Sequence, residues 1–247
     1  MKKTNINTFT LFGLNNSIAI LRSKTFKIIN IDLMEDGRAL KEKKIKLLIE
    51  NKKINKMKKY QFNQKYPEKR SQGVAVTFSG DIIRKEIPSF HNQENACLLV
   101  LDQIEDPQNF GQIIRTAECA GIDGIVFPRH HSAPINETVL QVSQGAFVNM
   151  PIYEITNIRN IFKQFKSDGF WLIGIENSID AKPWFKVEYG GKAIIVLGSE
   201  GKGIRKMVLE SCDFKSTIPM KGKINSLNVS ATASAILFER LRQLEGN

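Results

Sequence analysis

From residue 96 onward, short apolar runs alternate with helix-patterned segments, and this alternation constrains the chain more than any other feature. The runs are 97–101 (CLLVL), 124–127 (GIVF), 171–175 (WLIGI), 193–197 (AIIVL) and 214–218 (FKSTI). Most are strand-sized and lack the polar–apolar alternation that a solvated sheet face imposes. Between them, helix-patterned segments occupy 107–120, 135–147, 158–166, 204–212 and 229–244. Buried strands alternating with helices predict an α/β fold whose parallel sheet is covered on both faces. In such sheets ligands bind beyond the carboxyl ends of the strands. The loops that follow the strands are therefore where chemistry is expected.

The first 95 residues have a different texture. Short β-type runs at 25–29 and 74–78 flank a helical pattern over 38–50, so a small α/β module is expected over 1–78. The polar stretch 79–95 reads as a linker, and 96–247 as the second domain. Charge divides in the same place. The chain carries a net charge of +11, and residues 1–95 hold 20 basic and 9 acidic residues against 16 and 16 in the remainder. Ten of those basic residues fall within 38–59, beside two acidic ones. A one-sided basic excess fits a module that meets a polyanion such as RNA, where phosphate neutralisation supplies affinity. The same pattern also fits a solvated basic helix face.

An apolar content of 42% with 25% charged residues excludes collagenous and largely disordered chains. No apolar stretch approaches the roughly 20 residues of a membrane span. No apolar core follows the basic start at residues 1–3, which argues against a secretory signal and for a cytoplasmic protein. Cys97, Cys119 and Cys212 are odd in number, far apart and in no zinc spacing. His130 and His131 read as surface or RNA-proximal residues, and Trp171 and Trp184 as core or packing residues in preference to base-stacking platforms.

Three loops carry the chemistry. After the first run comes Asp106-Pro107-Gln108-Asn109, with Arg115 further along the same helix pattern. Asp106 can cap that helix, and Pro107 suits its first turn. Asn109 and Arg115 suit a phosphate or a ribose, although spacing alone favours a capped amphipathic helix with Arg115 paired to Glu118. After the run 193–197 comes Gly198-Ser199-Glu200-Gly201-Lys202-Gly203. Its three glycines let backbone N–H groups approach a ligand, but it is neither a Walker A nor a dinucleotide loop. A carboxylate at Glu200 suits a cationic or hydroxyl-rich ligand; a plain strand-to-helix turn is the alternative. The third loop runs Ile218-Pro219-Met220 to Ser226-Leu227-Asn228, where Ser226 or Asn228 can cap a helix rich in small residues.

Together, NxxxxxR, LGSEGKG and IPMxGxxxSLNVSxA resemble the three sequence motifs of the SpoU/TrmH family of SPOUT-class RNA ribose 2′-O-methyltransferases. The resemblance covers residues 98–247 and is strongest to the RlmB-like subgroup that methylates a guanosine in 23S rRNA. It implies a C-terminal α/β domain tied in a deep trefoil knot. It implies an L30e-like RNA-binding domain at the N-terminus, closed by Ser71-Gln72-Gly73-Val74-Ala75, with Ser71 where the subgroup usually has His. It also implies a homodimer acting on large-subunit rRNA, with S-adenosylmethionine as cofactor and no metal. By position, Leu197, Gly198, Gly203, Ile218, Met220 and Leu227 would hold the cofactor. Asn109, Arg115, Glu200, Ser226 and Asn228 would serve catalysis.

In this reading a ribose 2′-oxygen attacks the sulfonium methyl in line. Arg115 stabilises the alkoxide, or is itself deprotonated, or acts with an RNA phosphate; a guanidinium of pKa above ~12 is a poor base unaided. The competing readings are the same chemistry on tRNA, a non-catalytic RNA-binding assembly factor, and a nucleotide-hydrolysing enzyme. The last lacks GK[ST] and a matched acidic metal site.

Overall fold

The computed structural model describes residues 7–67, 71–178 and 180–246; the basic residues at 2 and 3 lie outside them. The chain forms two compact units, Met1–Ile82 with Ile135–Val148, and Ile83–Pro134 with Asn149–Asn247.

The first unit contains β1 (Thr8–Phe12), α1 (Leu14–Arg22), β2 (Lys27–Met34), α2 (Arg38–Lys41), α3 (Lys43–Ile49), β3 (Asn55–Met57), α4 (Lys59–Lys65) and β4 (Val74–Ser79). Its sheet has the order β1-β4-β2-β3, with β4 antiparallel to β1 and β2, and β3 parallel to β2. The helix expected over 38–50 is two helices. Glu42 between them is extended, and its side chain accepts a hydrogen bond from the Lys44 N–H, capping α3. Ile45 and Ile49 of α3 are buried. All ten basic residues of 38–59 are exposed, and none forms an ion pair among the described residues. Asp32 of β2 is fully buried. Its carboxylate accepts hydrogen bonds from Lys65 Nζ (2.7 Å), Asn55 Nδ2 (2.8 Å) and the Tyr66 hydroxyl. Burial alone would raise its pKa, but these donors together hold the carboxyl below its ordinary value.

The second unit holds β5 (Ile83–Arg84), β6 (Ala96–Asp102), α5 (Pro107–Cys119) and β7 (Gly124–Pro128). Next along the chain, α6 (Glu137–Val142) and a 3-10 turn, Ala146–Val148, belong to the first unit. The second unit continues with β8 (Ile152–Ile155), α7 (Ile158–Ser167), β9 (Trp171–Ile175), β10 (Lys182–Pro183), β11 (Lys192–Gly198), α8 (Lys206–Leu209), β12 (Phe214–Thr217) and α9 (Val229–Glu245). Its eight strands take the order β10-β12-β9-β11-β6-β7-β8-β5, and every pairing is parallel. The central strands β6 and β7 are buried at every position, as their unbroken apolar runs require. On α7, Ile158, Phe162 and Phe165 turn one face into the core.

Three expectations change. Residues 79–95 are not a free linker. Ile83 and Arg84 pair with β8, and Phe90 is buried against Phe165 and Phe170, so apolar anchors hold the stretch to the second unit. Residues 135–147 do not form one helix on the parallel sheet. Gln144 (φ 54°) and Gly145 (φ 92°) are left-handed and end α6, which packs in the first unit. There the Thr10 N–H donates to Glu137 Oε1 (2.6 Å). Gln141 accepts from the Phe12 N–H (2.9 Å) and donates to the Phe12 carbonyl (3.0 Å). Trp171 is not a core residue: it is 57% exposed at the start of the sheet's β9, where its ring packs beside that of Phe214. Among the described residues no helix is long and apolar enough to cross a membrane.

Candidate active site

Chain order reverses between β6 and its neighbour β11: from β6 the sheet grows through β7 to β8, and from β11 through β9 to β12. Loops leaving such a pair diverge and open a crevice. The loop after β6 and the loop after β11 are the first two loops singled out above. Asp102, buried at the end of β6, ties them together. It accepts from the Arg205 N–H (2.9 Å) and Nε (2.8 Å) and pairs with its terminal nitrogen (2.7 Å).

Each loop delivers one polar side chain to a common point. Asn109, on the first turn of α5, is only 4% exposed. Its Nδ2 donates to Glu200 Oε1 (2.9 Å). Asn228 Nδ2 donates both to Asn109 Oδ1 (3.0 Å) and to the same Glu200 oxygen (2.8 Å). The triangle closes because Asn228 is also the N-cap of α9: its Oδ1 accepts from the Ser230 N–H (2.8 Å), which fixes the amide's orientation. α5 and α9 are held side by side by Ser230 Oγ to Gln112 (2.8 Å) and Thr116 to Ser234 (3.3 Å). The small residues of α9 permit that approach.

Beside the triangle lies a cleft of about 540 Å3 between the ends of β9, β11 and β12. Leu197, Gly198, Gly203, Ile218, Met220 and Leu227 all line it, as do Glu200, Ser226 and Asn228. The loop after β11 folds back on itself through paired backbone bonds between Ser199 and Gly203 (2.9 and 3.2 Å). A Cβ on Gly198 would lie 2.1 Å from the Gly203 carbonyl carbon, so only glycine fits there. The ionisable side chains lining the cleft are Glu176 and Glu200; no Lys or Arg among the described residues lines it.

Arg115 stands apart. It is exposed on α5, does not line this cleft, and makes no ion pair with Glu118, which instead accepts from Asn149 (3.2 Å). Ser226 is exposed at the cleft rim. Sequence reasoning missed Glu176, Asn177 and the Asp102–Arg205 tie. The first two follow the run 171–175, so the rule about strand ends, applied to a fourth loop, reaches them. Asn177 Nδ2 donates to the Asn225 carbonyl (2.8 Å) and anchors the third loop. No cluster of potential metal ligands occurs among the described residues.

Residues 96–238, more than half of the chain, match the family described as SpoU rRNA Methylase. The chain belongs to the SpoU family. It is 37% identical over 226 residues, 91% of each chain, to an uncharacterized tRNA/rRNA methyltransferase of Borreliella burgdorferi. It is 40% identical over 148 residues to a Staphylococcus saprophyticus protein assigned to the TrmH family of tRNA/rRNA methyltransferases, covering 59% of this chain and 58% of that one. Two crystal structures share the SpoU fold at 19% identity. An RNA 2′-O ribose methyltransferase superposes with a TM-score of 0.81 over 96% of this chain and 89% of that one. The SpoU methyltransferase AviRb from Streptomyces viridochromogenes, in complex with AdoMet, gives 0.75 over 96% and 90%.

Proposed function

We propose that this SpoU-family chain transfers a methyl group from S-adenosylmethionine to the ribose 2′-hydroxyl of a guanosine in 23S rRNA. The observation that carries this reading is the Asn109–Glu200–Asn228 triangle beside a cleft whose lining charges are acidic. Such a cleft suits a cationic sulfonium donor and opposes a nucleoside triphosphate, which disfavours a nucleotide hydrolase. Apolar walls at Leu197, Ile218, Met220 and Leu227 suit an adenine ring, and Gly198 and Gly203 leave backbone groups free to contact it. When bound, S-adenosylmethionine supplies an activated methyl group.

The chain's own contribution is alignment and charge. Glu200, held by two amides, fixes the wall against which the ribose is positioned; positioning of this kind lowers barriers by several kcal/mol. Arg115 stabilises the developing alkoxide. Since Arg115 does not line the cleft, a homodimer in which a second copy offers its Arg115 to the site is part of the proposal. So are the trefoil knot, an L30e-like RNA-binding role for the first unit with its exposed lysines, and a cytoplasmic location.

Nucleotide-resolved mapping of 2′-O-methylation in total RNA, with and without the gene, tests the reading. Loss of one guanosine methyl in 23S rRNA is the expected result. Loss in tRNA would retain the chemistry and change the substrate, and no loss anywhere would favour an assembly factor.

A further inference from the structure

A second cleft, of about 330 Å3, opens at the ends of β6, β7 and β11. Ser199, Glu200 and Val229 line both clefts, so the two share a wall that includes a corner of the polar triangle. Its size is at the lower end of the ~300–1,000 Å3 of small-ligand sites. Five polar side chains line it without a side-chain hydrogen bond or ion pair among the described residues: Gln103, Glu105, His131, Ser199 and Lys202. The other lining polar groups are occupied, since Asp106 caps α5 and Asn109 and Glu200 bond each other. Gln103 (φ 64°) and His131 (φ 59°) are both left-handed, a conformation that costs energy for residues other than glycine and that Asp36, Gln72 and Gln144 share. The Ala133 N–H, donating to the Ile104 carbonyl (2.8 Å), holds the two strained loops together.

We infer that this second cleft takes the nucleoside to be methylated, a guanosine unstacked from its RNA. The inference rests on the methyltransferase reading. A donor in one cleft and an acceptor in the other bring a methyl and a hydroxyl together across the shared wall at Glu200. Guanine presents two donors on one edge, N1–H and N2–H2, and Glu105 is an uncommitted carboxylate to receive them. His131 supplies the aromatic surface on which an unstacked base packs. Lys202 meets the adjacent phosphate as a point charge. Gln103 completes the base contact with an amide that both donates and accepts.

The test uses the full-length protein, a synthetic oligonucleotide spanning the nucleotide found by mapping, and the same oligonucleotide with inosine at that position. Inosine lacks the N2 amino group. Wild-type kcat/KM is expected to fall about tenfold or more on inosine. In Glu105→Gln it is expected to fall at least tenfold on guanosine, with most of the discrimination gone. Calorimetric affinity for S-adenosylmethionine is expected to stay within twofold, which separates substrate reading from damage to the fold. Glu105→Gln retaining wild-type rate and discrimination would overturn the proposal. So would equal wild-type rates on guanosine and inosine. A wild-type protein that binds S-adenosylmethionine yet methylates no RNA would break the underlying reading instead, and the proposal with it.

Discussion

The two units use charge in opposite ways. In the first, ten basic residues of 38–59 stand exposed on short helices, a short strand and the turns between them, without an ion pair among the described residues. In the second, the polar groups that matter are few and committed. Asp102 is buried against Arg205, and Glu200 is held by two amides. Diffuse surface charge gives affinity without demanding geometry, whereas a transfer reaction needs groups fixed to within fractions of an ångström. On the proposed function, loss of exposed basic residues in the first unit is expected to weaken RNA binding, and loss of the fixed polar groups in the second to slow the transfer.

The largest effect separates them most cleanly. Arg115→Ala is expected to lower methyl transfer by about 10²- to 10³-fold, with S-adenosylmethionine affinity unchanged by calorimetry. Near-normal turnover would remove Arg115 from the mechanism. Replacing Lys52, Lys53, Lys56 and Lys59 together by Gln should raise the RNA Kd by about tenfold or more. It should also flatten the salt dependence of binding, by up to about 0.7–0.9 in log–log slope for each phosphate no longer neutralised. Donor affinity and single-turnover rate at saturating RNA should not move; a fall in either would blur the division.

Asp32→Asn should destabilise the first unit by about 1–3 kcal/mol near neutral pH, since hydrogen bonds to a buried charge disappear. The sign with pH follows from the lowered Asp32 pKa. Its contribution is present above the unfolded carboxyl value and is lost as pH falls through the folded one. Denaturant melts of the two proteins should therefore converge in acid, and a gap that widens there contradicts the assignment. Asn228→Ala should cost about 1 kcal/mol through removal of the α9 cap. Its telling readout is a lowered kcat with RNA affinity intact, measured by filter binding.

Much of the second unit was legible because buried parallel strands write themselves as unbroken apolar runs. The rule about strand ends then pointed to the loops that hold Asn109, Glu200 and Asn228. Their meeting was not legible, because it depends on β11 inserting between β6 and β9, a long-range pairing that no local pattern encodes. Arg115 and Glu118 sit three apart and suggested a local pair, yet Glu118 turns to Asn149. Residues 135–147 misled for a related reason. Their periodicity says helix, but whether Glu137 and Gln141 face water or a strand edge depends on β1, more than 120 residues earlier. Trp171 was misplaced because an aromatic at the first position of a strand can lie beyond the cover of the layer above.

The hydrogen bonds between α6 and β1 also bear on how the protein is made. The outer backbone edge of β1 has its Thr10 and Phe12 groups satisfied by side chains translated far later. At about 5–20 residues per second, the 66 residues between Ile82 and Val148 represent roughly 3–13 seconds of synthesis. During that interval the nascent N-terminal unit presents an open strand edge, a template for unwanted pairing. Recombinant fragments ending near residue 82 would carry the same open edge permanently, so aggregation of such fragments would report a missing chain segment and not an intrinsically unstable unit.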